Sequence, residues 1–215
     1  MYLVVEGVIG VGKTSLARLL QPVFHADIQL EVFEENPFLS NFYADRKRYA
    51  FQTQIFFLLS RYRQQFELTK HDLKKENLVS DYSFAKDSIF AVLNLDGDEL
   101  ATYYSVLNAL AERIPEPDLT IFLQVSTDAA MERIALRDRE YERNMDRSYI
   151  DALNNSYEDH YRKHPQNVLT IDTSNMDFVH QPDHLNEIIH RIRAALGIPP
   201  FQPELPFSGI GKSVL

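Results

Sequence analysis

The run Gly7-Val8-Ile9-Gly10-Val11-Gly12-Lys13-Thr14 constrains this chain more than any other feature. It fills the pattern GxxxxGK[ST] completely, between a strand-like stretch at residues 3–6 and a helical one at 13–20. Glycines at these places let backbone N–H groups converge on phosphate oxygens at a helix N-terminus. Lys13 then reaches the outer phosphates, and the Thr14 hydroxyl is placed to coordinate Mg²⁺. A second GKS, Gly211-Lys212-Ser213, has Pro206 where the first glycine belongs. No strand precedes it and no helix follows it within the sequence, so it is rejected as a phosphate loop.

Beyond the loop, apolar runs alternate with helical patterns, which predicts an α/β fold with a mainly parallel sheet. Further strands are expected at 28–33, 78–80, 119–125 and 168–171, making five. Helices are expected at 39–44, 47–75, 128–136, 149–163 and 182–196, with two more inside 85–114 broken at Asp96-Gly97-Asp98. On the long helix, Phe51, Ile55, Leu58, Tyr62, Phe66, Thr69 and Leu73 recur every three or four residues and predict one buried apolar face. The resulting fold class is a phosphate-loop, three-layer α/β sandwich with a five-stranded parallel sheet. Residues 1–196 form one domain, and 197–215, with Pro199, Pro200, Pro203 and Pro206, form a proline-rich tail.

Charge narrows the partners. Thirty-one acidic residues against 22 basic ones give a net −9, the wrong sign for duplex nucleic acid or an anionic membrane. Cysteine is absent, which removes disulfides and thiolate zinc sites and fits a reducing compartment. The first residues lack the basic n-region of a signal peptide, and no apolar run approaches the roughly 20 residues a membrane span needs. The expectation is a cytoplasmic protein. His160 and His164 are four apart on an expected helix, but they lack a third ligand and are discounted as a metal site.

A phosphate loop leaves the reaction open. No guanine-reading NKxD-type segment stands at a strand end, which disfavours a GTPase. Asp81 closes an apolar strand, where phosphate-loop proteins keep a carboxylate for Mg²⁺; the alternative is a turn cap before Ser83. Glu31-Val32-Phe33-Glu34-Glu35-Asn36-Pro37 follows the second strand. Ligands of doubly wound sheets bind at the carboxyl ends of strands, so a carboxylate here can face the γ-phosphate and accept a hydroxyl proton. The alternative is a solvated acidic turn.

Taken together, these motifs resemble the bacterial deoxynucleoside kinases, especially their deoxyadenosine/deoxyguanosine branch, from the phosphate loop to about His164. The resemblance assigns the nucleotide to Gly7, Val8, Ile9, Gly10, Val11, Gly12, Lys13, Thr14 and Ser15. The Glu-x-Val-[Asp/Glu]-Glu-Asn-Pro motif of the family falls on residues 31–37, making Glu31 the base for the 5′-hydroxyl, with Glu34 and Glu35 as fallbacks. Tyr43 takes the deoxyribose. Gln54 and Arg61 match the base-reading pair, two helical turns or about 10.5 Å apart, with Asp87 as the partner of Arg61. In Asp81-Tyr82-Ser83-Phe84-Ala85-Lys86-Asp87, Asp81 becomes the Mg²⁺-side carboxylate, and Tyr82 departs from the arginine common in the family. The segment Arg133 to Arg143 resembles an arginine-rich lid: Arg137 and Arg139 join Lys13 and Glu31 in catalysis, and Glu142 binds the 3′-hydroxyl. Arg143 and Arg147 are the candidates to replace the arginine missing at Tyr82.

The resemblance implies transfer of the γ-phosphoryl of ATP, with Mg²⁺, to the 5′-hydroxyl of a deoxynucleoside in nucleotide salvage, by a homodimer. Arg61 with Asp87 favours deoxyadenosine or deoxyguanosine, with deoxycytidine also accommodated. The main alternative is a thymidylate-type nucleoside monophosphate kinase, which needs an arginine for the acceptor phosphate near the second or third strand. A non-catalytic nucleotide-binding switch is the other.

Overall fold

Five parallel strands carry the fold, in the order β2-β3-β1-β4-β5. They are β1 (Tyr2–Gly7), β2 (Asp27–Gln29), β3 (Leu78–Ser80), β4 (Leu119–Gln124) and β5 (Val168–Asp172). A central strand of a parallel sheet is covered on both faces, so it reads as a nearly continuous apolar run. In β1, Leu3, Val4 and Val5 are wholly buried, and in β4 so are Ile121 and Leu123. The chain continues to one side of β1 through β3 and to the other through β4. That reversal puts a crevice at the carboxyl end of β1, where ligands of such sheets bind.

The helices are α1 (Lys13–Val23), α2 (Leu39–Ala44), α3 (Arg46–Leu68), α4 (Ala85–Asn94), α5 (Gly97–Ala111), α6 (Thr127–Arg137), α7 (Arg147–Lys163) and α8 (Pro182–Ala195). The computed structural model describes residues 1–33, 35–68, 76–111 and 114–199. Glu34, residues 69–75 with Thr69 and Leu73 of the expected stripe, the expected tail from Pro200 and the second GKS lie outside the described residues. No helix among the described residues is long and apolar enough to cross a membrane.

Three expectations are corrected. The second strand ends at Gln29 rather than at 33, because its neighbour β3 is only three residues long and offers no further partner. Beyond it, the Glu31 N–H bonds Asp81 Oδ1 at 2.8 Å, and the chain leaves the sheet toward the crevice. Helix α1 runs through Pro22 to Val23, since a proline in the last turn removes a single donor and Phe24 N–H still reaches the Leu20 carbonyl at 3.0 Å. The long helix is rotated from its apolar stripe. Its buried side chains are Ala50, Thr53, Gln54, Phe57, Leu58, Arg61, Gln65 and Leu68, whereas Phe51, Ile55, Tyr62 and Phe66 are only half-buried. Polar residues on an inward face need a polar occupant or partners to be tolerated, and the crevice supplies that environment.

Candidate active site

At the carboxyl end of β1, a cleft of about 620 Å³ opens between the phosphate loop, α3 and the segment joining α6 to α7. Residues 9–15 of the loop, with Glu31, Tyr43, Gln54, Arg61, Asp81, Arg137, Arg139 and Glu142, all line it, while Gly7 and Val8 lie outside the lining. Asp87 sits behind Arg61, wholly buried. The residues chosen on sequence therefore converge, although they come from six different parts of the chain.

Lys13 Nζ donates to the carbonyls of Gly7 and Val8 at 2.7 and 3.0 Å. Burial, followed by repulsion from Lys86, lowers its pKa to about 8; phosphate oxygens near the ammonium act in the opposite direction. The Thr14 hydroxyl bonds Asp81 Oδ2. A hydroxyl and a carboxylate in contact at a strand end are hard oxygen donors of the kind Mg²⁺ uses when phosphates and waters complete its shell. The pair fits that ion, which when bound shields the negative charge of the outer phosphates.

Glu31 is the electrostatic centre. Its Oε1 accepts from Arg61 Nε at 2.8 Å, and its Oε2 accepts from Lys86 Nζ at 2.5 Å. Burial pushes the Glu31 pKa up, but Lys86 and Arg61 overcome it and hold the carboxyl well below the usual range. Arg61 reaches Asp87 Oδ1 with its Nη1 at 2.6 Å, and its guanidinium lies 4.7 Å from the centre of the Phe57 ring. Burial alone lowers the Arg61 pKa, and the Asp87 and Glu31 carboxylates reverse this and keep the group charged. Beside it, Gln54 Oε1 is buried without a hydrogen-bond partner. An orphaned acceptor at the cleft wall is costly unless a ligand supplies a donor.

At the other wall, Asp138 ends α6 in a left-handed conformation at φ 49°, which turns the chain back across the cleft. Arg137 Nη2 donates to the buried Glu142 Oε2 at 2.5 Å, and Arg139 Nη1 lies 3.7 Å from Oε1. The Arg139 guanidinium also stands 4.0 Å over the Phe33 ring. Tyr43 stacks on Tyr141 with ring centres 5.9 Å apart and planes 10° from parallel. Two flat rings, a carboxylate and two guanidiniums form a mouth suited to a sugar joined to phosphates.

Arg143 and Arg147 do not replace the missing arginine. They are exposed and paired with Asp138 and Asp128, at 2.7 Å in each case. Tyr82 is wholly buried, and its hydroxyl donates to Gln64 Oε1 at 3.0 Å, which makes it a packing residue between β3 and α3. Lys86 and Glu6 have no role in the sequence reading, and Arg133, part of the lid segment there, has a different one. Lys86 precedes Asp87 in the first turn of α4, where it is buried against Glu31. Arg133 bonds the carbonyls of Val11, Thr173 and Met176 at 3.2, 2.7 and 3.0 Å, tying α6 to the loop. Glu6, wholly buried, accepts from Ser83 N–H and Oγ at 2.6 and 2.9 Å and so joins β1 to the segment after β3. An acidic residue inside an otherwise apolar strand was the available signal for Glu6.

Comparison with known proteins agrees with this geometry. A family model described as deoxynucleoside kinase matches residues 3–196. Deoxyguanosine kinase of Bacillus subtilis (strain 168) is 34% identical over 184 residues, covering 83% of this chain and 89% of that one. Deoxyadenosine kinase of Dictyostelium discoideum is 33% identical over 193 residues, covering 87% and 77%. Among solved structures, deoxyadenosine kinase from M. mycoides with bound dATP superposes with a TM-score of 0.78 at 26% identity, covering 90% of this chain and 99% of that one.

Proposed function

Because the chain belongs to the deoxynucleoside kinase family, we propose that it moves the γ-phosphoryl of ATP to the 5′-hydroxyl of a purine deoxynucleoside, deoxyadenosine or deoxyguanosine, in nucleotide salvage. The observation that carries this reading is the position of Glu31. An ionised carboxylate lines the same cleft as the phosphate loop, with Gln54 and Arg61 along the wall beyond it. The phosphates go to the Gly7–Ser15 run, Mg²⁺ to Thr14 and Asp81, and the sugar to Tyr43 and Glu142. Glu31 takes the hydroxyl proton, and Arg137 and Arg139 meet the phosphates as a lid. Residues 1–196 are the catalytic unit, working in the cytoplasm. A homodimer belongs to the same reading.

Two measurements test the substrate. In a panel of ATP-Mg²⁺ with each deoxynucleoside and each nucleoside monophosphate, ADP is expected with deoxyadenosine or deoxyguanosine first and deoxycytidine after them. Turnover on monophosphates but on no nucleoside would instead place the chain with thymidylate-type kinases. ATP binding without acceptor-dependent ADP would mark a nucleotide-binding switch. In Gln54→Leu, similar in size but unable to hydrogen-bond, kcat/KM for the deoxynucleoside is expected to fall about tenfold, the worth of one or two hydrogen bonds. The KM for ATP should stay constant. An unchanged acceptor kcat/KM would remove Gln54 from the base site.

A further inference from the structure

The cleft contains a buried cation to which the proposed reaction has so far given no task. Lys86, in the first turn of α4, is only 7% exposed in its side chain. It lines the cleft together with the phosphate loop and Glu31, and one of its three ammonium hydrogens is used on Glu31 Oε2. The other cations there have other partners. Arg61 spends its fork on Glu31 and Asp87, and Arg137 and Arg139 both turn to Glu142. Lys13 lines the same cleft, its ammonium held by the carbonyls of Gly7 and Val8. Two ammonium groups that face a common space are relieved by an anion placed between them.

We propose that Lys86 touches the phosphoryl group in flight, bridging one of its oxygens to Glu31 and supplying the charge that Tyr82 cannot. This rests on the reading of Glu31 as the base. In the transfer, the acceptor O–H bond breaks and its proton passes to Glu31. The freed oxygen forms a bond to phosphorus while the bond from phosphorus to the β-phosphate oxygen breaks, its electron pair leaving with ADP. Charge spreads over the equatorial oxygens of a loose transition state. Lys86 donates a hydrogen bond to one of them and keeps its proton. A donor aimed at developing charge acts on kcat more than on ground-state binding.

The test compares Lys86→Met and Lys86→Arg with the parent enzyme, using ATP-Mg²⁺ and the best acceptor of the panel. Lys86→Met is expected to lower kcat about 100-fold, with both KM values within about threefold, and Lys86→Arg should recover all but about tenfold of the loss. A kcat for Lys86→Met within threefold of the parent overturns the proposal. So does a loss that appears in the deoxynucleoside KM and that arginine fails to restore. Lys86→Gln stands in if the methionine variant does not fold. Single-turnover assays on Glu31→Gln and on Glu31→Gln/Lys86→Met separate the two readings. If Lys86 acts only by holding Glu31, the second change costs nothing further and the proposal fails; contact with the phosphoryl group predicts a further drop of about tenfold or more. A near-normal rate in Glu31→Gln alone overturns the base assignment and leaves the Lys86 comparison to be decided by kcat and arginine rescue.

Discussion

Glu31→Gln is expected to lower kcat by about 10³–10⁴, or about 4–5.5 kcal/mol of transition-state stabilisation. Glutamine keeps the shape of the side chain but cannot take the proton of the attacking hydroxyl. The change also leaves Arg61 and Lys86, both now bound to Glu31, with a neutral amide. Removing one member of a buried ion pair costs about 3–5 kcal/mol when the remaining charge is stranded. Here the cost is smaller, because Arg61 retains Asp87 at 2.6 Å and the Glu31 side chain is 12% exposed at the cleft. The protein should therefore fold, and triphosphate binding is the control that separates chemistry from collapse. Deleting an anion near the γ-phosphate raises the local positive potential, so ATP-Mg²⁺ should bind as tightly as before or more tightly. Single-turnover rates and an equilibrium titration check both halves. A rate within tenfold of the parent would dismiss Glu31 as the base, and a lost triphosphate affinity would mean that the variant damages the site more broadly.

The parts of this architecture legible in the sequence are those whose chemistry is local. The phosphate loop is contiguous, its geometry follows from its own glycines, and Asp81 is legible because a polar residue ending an apolar strand marks the carboxyl end of the sheet, where ligands bind. The rest depends on what packs against what. The stripe at Phe51, Ile55, Leu58, Tyr62 and Phe66 is regular, yet α3 turns its Gln54, Arg61 and Gln65 side inward. Apolar periodicity locates the core-facing side only when the core is apolar, and here the helix borders a polar cleft. The expected strand at 28–33 stops at Gln29, because strand length is set by the neighbour and β3 stops at Ser80. A lysine in a first helical turn normally faces water, so nothing local marks Lys86 as buried. Its burial follows from Glu31, 55 residues earlier, being turned out of the sheet toward it.

Gly7→Ala is expected to cost about 3 kcal/mol or more of stability and to weaken triphosphate binding at least tenfold. Gly7 ends β1 at φ 145°, a backbone region that side chains rarely tolerate and that costs about 1–3 kcal/mol to impose. Space is the second obstacle. A methyl group there would lie 2.5 Å from the carbonyl oxygen of Leu123 and 3.0 Å from a Val11 methyl. Leu123 is the register partner of Gly7 across the β1–β4 pair, so the carbonyl belongs to the middle of the sheet and cannot swing aside as a side-chain end can. Relief must come from parting the strands or from moving the loop, and overpacking of this kind adds about 1–3 kcal/mol. For a chain of this length the loss corresponds to a fall of about 6–12 °C in Tm. The carbonyls of Gly7 and Val8 hold Lys13, so a displaced loop also misplaces the ammonium group. Gly97→Ala is the matched control. It too has a positive φ, 49°, but nothing stands within 4 Å of an added methyl, so only the left-handed backbone penalty of about 1–2 kcal/mol applies. Its triphosphate affinity should be unchanged. If Gly7→Ala melts no earlier than Gly97→Ala and binds ATP-Mg²⁺ equally well, the close approach of β4 to the loop is not what holds the phosphate site in shape.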